Sequence, residues 1–153
     1  MDLLRDGLAT GVPDLGLKED QSDREKAEIL WPLWRSILQQ RAFYHDKLLI
    51  EGVNFLPKYL AEVKDKDYLR ICFVGYPRLS PEDKLKQIKK YTSSDCDWHE
   101  ELTDDQLLNL ITIWIEDSLY FEQECNKYDL EFVDLSNNFK AGWERVEKFL
   151  FAA

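Results

Sequence analysis

The chain has few of the residues that build disulfide-bonded or membrane-spanning proteins. Its 153 residues include three cysteines, and no apolar run approaches the roughly 20 residues that a membrane helix needs. Cys72, Cys96 and Cys125 are odd in number and widely spaced, which argues against a disulfide framework and for a reducing compartment. The first residues contain no basic stretch followed by an apolar core, so no secretory signal is expected. These absences predict a soluble, cytoplasmic protein.

Positive charge is also scarce. Twenty lysines and arginines stand against thirty aspartates and glutamates, which gives a formal net charge of −10. Because nucleic-acid binding requires a basic face, this balance argues against a nucleic-acid partner. The chain is nevertheless 44% hydrophobic and 13% aromatic, which is too apolar for a disordered protein. The composition therefore predicts a folded globular domain.

Three short apolar runs predict β-strands, at residues 47–50, 69–74 and 130–134. The first two lack polar alternation, which is typical of strands buried on both faces of a parallel sheet. Helical patterns with capping signals surround these runs. The pattern predicts one α/β domain over residues 1–153 with a parallel sheet. Ligands of such sheets bind beyond the carboxyl ends of the strands, where the sequence has Glu51, Gly75 and Asp134.

The charge changes sign within residues 78–106. Basic residues come first, and a run of carboxylates around Trp98 follows them. Two interpretations stay open, a projecting lid-like hairpin of helices or an ordinary solvated surface that carries both signs of charge. The basic residues are Arg78, Lys84, Lys86, Lys89 and Lys90, and the carboxylates are Asp95, Asp97, Glu100, Glu101, Asp104 and Asp105.

Motifs for phosphate loops and zinc sites are missing from the sequence. The nearest approach to G-x-x-x-x-G-K-[ST] is residues 11–19, where the lysine comes one position late. In that stretch Glu19 replaces the magnesium-binding hydroxyl, and Pro13 removes an amide donor. His45 and His99 lie far apart, and no cysteine or histidine pair has zinc-ligand spacing. We therefore expect a connector at residues 11–19 and no metal site.

The order of several strings resembles that of small P-loop kinases, the group that includes adenylate, shikimate and 2-phosphoglycerate kinase-like proteins. The likeness is greatest to a bacterial ATP-binding subgroup of these kinases. The strings are DLLRDGLATGVPDLG at residues 2–16, LLIEGVNFLP at 48–57, CFVGY at 72–76 and FVDLS at 132–136, with a charged lid before the last. The first string resembles the stretch that follows the second strand in these kinases. The resemblance therefore implies an incomplete three-layer fold, because the first strand and the phosphate loop have no counterpart in the sequence.

The resemblance also implies roles for individual residues. The catalytic residues would be Asp2 and Glu51, and Glu51 would orient magnesium through water or act on the acceptor hydroxyl. Arg5 and Asn54 would bind the phosphoryl acceptor, with Arg5 neutralising its charge. The implied cofactors are Mg²⁺ and ATP, and the implied partner is a small-molecule phosphoryl acceptor, with neither nucleic acid nor membrane. The nucleotide-binding residues implied for the lid are Lys84, Lys89 and Lys90.

The missing phosphate loop has consequences for activity and stability. The resemblance implies an ATP-dependent phosphotransferase that is inactive and binds no cofactor in the form given, whether that form is a truncated sequence or a derived one. Without the first strand, residues 47–50 and 69–74 either pair directly or leave a gap, which predicts marginal stability or a homo-oligomer. The alternative function is a non-catalytic binding or regulatory domain that contacts a partner through the acidic surface and Trp98.

Overall fold

The chain folds into two compact units, Met1–Leu69 and Arg70–Ala153. A computed structural model describes residues 2–40, 47–91 and 102–151. The structure is mixed α/β, mostly helical, with a two-stranded parallel sheet. Among the described residues, no helix is long and apolar enough to cross a membrane.

The first unit is helical. It contains α1 (Asp2–Gly11), α2 (Asp23–Gln40) and α3 (Pro57–Leu60), with a short 3₁₀ turn between α1 and α2. Helix α2 begins at the predicted capping box, because the Ser22 hydroxyl accepts a hydrogen bond from the Glu25 amide and the Glu25 carboxylate accepts one from the Ser22 amide. Its apolar face packs on the segment that contains α3. The buried apolar residues of this unit are Ala27, Leu30, Trp31, Trp34, Leu38, Leu56, Leu60 and Val63.

The predicted strand at residues 47–50 is wrong. These residues form no strand, and Leu48 and Leu49 are 58% and 63% exposed. A short apolar run becomes a strand only when a neighbouring strand satisfies its backbone groups, and the described part of the first unit contains no strand. Glu51 therefore does not follow a strand, and it occupies an exposed position in a loop of the first unit.

The second unit contains the sheet. Its elements are β1 (Cys72–Gly75), α4 (Pro81–Tyr91), α5 (Asp104–Tyr128), β2 (Glu131–Asp134) and α6 (Phe139–Phe151). Strands β1 and β2 are parallel, and Gly75 pairs with Asp134 at their carboxyl ends. The predicted parallel arrangement of these two runs is confirmed, although each strand has only four residues.

Helices cover the two faces of the sheet. On one face, Phe73 stacks on Phe121 of α5 with ring centroids 5.5 Å apart. On the other face, α6 packs on Val133, which is 1% exposed, and Gly142 allows this packing because a Cβ there would collide with the Leu135 side chain. Val74 pairs with Val133 and therefore points to the same face, but it is 43% exposed. Helix α6 thus covers β2 more completely than it covers β1.

Helix α5 extends past the sheet. Ser118 lies beside Gly75, and Phe121 lies beside Phe73, so α5 runs antiparallel to β1. The residues before Ser118 therefore continue about 20 Å beyond the carboxyl ends of the strands at 1.5 Å per residue. Helix α4 packs on this extension through Leu85 and Ile88. We call α4 and the part of α5 before Ser118 the helical arm.

Candidate functional site

Arg78 connects the carboxyl ends of the two strands. Its guanidinium donates to the Asp134 carboxylate from Nη1 at 2.7 Å and to the Glu122 carboxylate of α5 from Nη2 at 2.8 Å. Its backbone amide donates to the Ser136 hydroxyl at 3.0 Å. The loop after β1, the loop after β2 and helix α5 are therefore held together at the sheet edge where parallel sheets bind ligands. We call these residues, Arg78, Glu122, Asp134 and Ser136, the Arg78 clamp.

The electrostatics of the clamp favour the ionised form of Asp134. Burial by itself would raise the pKa of this carboxyl, but hydrogen bonds from the Ser136 side chain and amide and from Arg78 outweigh burial and hold the pKa below its ordinary value of 3.8. Two carboxylates share one guanidinium here. Because Arg78 already has two anionic partners, it is poorly placed to neutralise a further anion.

We expect Asp134→Asn to weaken the second unit in a pH-dependent way. The pKa of Asp134 is lowered in the folded state, so its contribution to stability is complete above pH 3.8 and is lost as the pH falls through the folded-state pKa. The variant should be less stable than the parent chain at pH 6, and the difference should shrink below pH 4. Urea unfolding at pH 6, 4 and 3 measures this, with Asp65→Asn at an exposed position outside the clamp as the charge-matched control. A difference that does not change with pH would contradict the role given to Asp134.

The three lysines implied as nucleotide contacts differ in their surroundings. Lys84 Nζ lies 3.9 Å from the centroid of the Tyr76 ring, and Tyr76 directly follows β1. Lys89 Nζ lies 2.6 Å from both carboxylate oxygens of Asp104, at the opposite end of α4. Lys90 Nζ lies 5.0 Å from the centroid of the neighbouring Tyr91 ring. Of the three ammonium groups, that of Lys84 is therefore the one next to the end of β1.

The residues implied as catalytic or acceptor-binding all belong to the first unit. Asp2 begins α1, and Glu51 lies in the exposed loop. Arg5 Nε lies 3.0 Å from Oδ1 of the adjacent Asp6. Asn54 is 2% exposed, and its amide donates to the backbone carbonyl of Asp23 at 3.3 Å. The binding of a phosphoryl acceptor by Asn54 stays a prediction. It would require the Asn54 amide to break its hydrogen bond with Asp23 at the start of α2.

The cysteines of the sheet region are poor candidates for a nucleophile. Burial is the main factor that raises the pKa of Cys72 to about 11 and that of Cys125 to about 12. A thiol with such a pKa has a negligible thiolate fraction at neutral pH. We therefore assign both thiols a structural role.

The described residues do not offer a ready magnesium site. No three histidine, cysteine, aspartate or glutamate side chains come together within the described ranges 2–40, 47–91 and 102–151. Mg²⁺ is usually bound by one or two carboxylates, together with water and phosphate. Asp134 and Glu122 are the carboxylates at the sheet edge, but both are held by Arg78. The side chains as arranged therefore do not fit Mg²⁺, and we derive no chemical step through it.

Comparison of the chain with protein-family models, with curated proteins and with solved structures finds no match. The function is therefore inferred from the geometry of the sheet edge and from the resemblance of the sequence strings. Trp98, on which the alternative binding surface depends, lies outside the described residues, as do Cys96, His45 and His99. The Arg78 clamp was not predicted, although an arginine three residues after the end of a parallel strand is a signal that could have suggested it.

Proposed function

We propose that the chain is an ATP-dependent phosphotransferase of the small-molecule kinase type, in either a truncated or a derived form. One observation carries this proposal, which is the position of the helical arm beyond the carboxyl ends of β1 and β2. Ligands of parallel sheets bind at that edge, and the arm next to it carries four lysines. The order of the kinase-like strings in the sequence supports the same function. The four lysines of the arm, all in α4, are Lys84, Lys86, Lys89 and Lys90.

An arm at this edge suits phosphoryl transfer, which depends mainly on positioning and on stabilising negative charge. Helix α4 of the arm, in which lysines outnumber carboxylates, would exclude water from the phosphates and add positive charge near them. When bound, ATP would supply the phosphoryl group. The β- and γ-phosphates also need a lysine and an amide cradle at a helix N-terminus. The helix starts at Ser22 and Thr103 have side-chain caps followed by carboxylates, so they do not provide such a cradle. We therefore propose that the chain is inactive in this form.

A second candidate function is a non-catalytic binding domain. It is favoured by an exposed aromatic pair on α6, where Phe139 and Trp143 stack with centroids 6.2 Å apart and are 67% and 44% exposed. Exposed aromatic side chains are enriched in protein interfaces. This pair is distinct from the acidic surface and Trp98, which first suggested a binding role.

Amide NMR of the ¹⁵N-labelled chain tests the phosphotransferase proposal. We expect Mg²⁺·ATP at low salt to shift the amides of residues 75–90 and 134–137, with a dissociation constant in the millimolar range because only exposed or half-buried cations are available. A titration with sodium chloride and magnesium chloride at matched ionic strength is the control. Shifts that the salt titration reproduces, or shifts confined to α6, would contradict the proposal, and the second of these results would favour the binding domain.

A further inference from the structure

We draw no further inference here: the strongest candidate, the exposed aromatic surface patch of α6 where Phe139 stacks on Trp143, already supports the second candidate function, and nothing in the structure shows what covers it.

Discussion

Replacing Ile111 by alanine is expected to lower the free energy of unfolding by about 2–5 kcal/mol. Ile111 is 0% exposed and lies between Leu107 and Ile115 in the apolar cluster of the arm. Leu85 and Ile88 of α4 pack against this cluster. The truncation would leave a cavity between α4 and α5, so the arm would lose the contacts that hold its two helices together.

Ile113 provides the matched control, since it is on the same helix two residues later and is 52% exposed. Ile113→Ala should change the stability by about 0.5 kcal/mol or less, because it removes little buried surface. Urea unfolding followed by circular dichroism measures both variants. Amide hydrogen exchange should also become faster along α4 in Ile111→Ala alone. Equal effects of the two substitutions would show that the arm has no core of its own.

Alanine at Gly75 is expected to destabilise the second unit by about 1–3 kcal/mol. A Cβ atom there would lie 2.9 Å from both Cβ and Oγ of Ser118 on α5 and 3.0 Å from the Phe132 ring. Ser118 has little freedom to move, because its hydroxyl donates to the Trp114 carbonyl at 2.8 Å. Gly75 ends β1 directly before Tyr76. A shift here would therefore also displace the Arg78 clamp and the ring beneath Lys84.

A second substitution tests whether this crowding is the cause. Ser118→Gly removes both Ser118 atoms that a Cβ at Gly75 would meet, so Gly75→Ala should be less destabilising in that background than in the parent chain.

Gly7→Ala is a control for the substitution itself, since nothing lies within 4 Å of a Cβ at that position of α1. It should be neutral or mildly stabilising. Additive effects of Gly75→Ala and Ser118→Gly would contradict the packing described for α5.

Local signals explain which parts of the fold could be predicted. The caps at Ser22 and Thr103 form as expected, since a capping box involves residues only three positions apart. The parallel pairing of β1 and β2 follows from two apolar runs separated by helical patterns. The run at residues 47–50 has a similar pattern and forms no strand, because a strand depends on its neighbours as well as on its own residues.

The candidate site depends on contacts that a sequence pattern does not specify. Arg78 meets Asp134 across 56 residues and Glu122 across 44, and no periodicity relates these positions. The sequence also does not distinguish Lys84 from Lys89, since both are lysines of one basic helix. Their difference arises from burial against Tyr76 in one case and from the Asp104 carboxylate in the other. Such differences become visible only once the helices are packed.

Titration calorimetry with Mg²⁺·ATP tests the central proposal most directly, which is that this chain is a kinase-type phosphotransferase whose sequence contains no phosphate loop. The chain as given should bind no more tightly than about millimolar, because it has no amide cradle for a triphosphate. A longer form, in which a strand and a G-x-x-x-x-G-K-[ST] loop precede residue 1, should bind in the micromolar range. Micromolar binding by the chain as given, or an absence of binding by the longer form, would contradict the account.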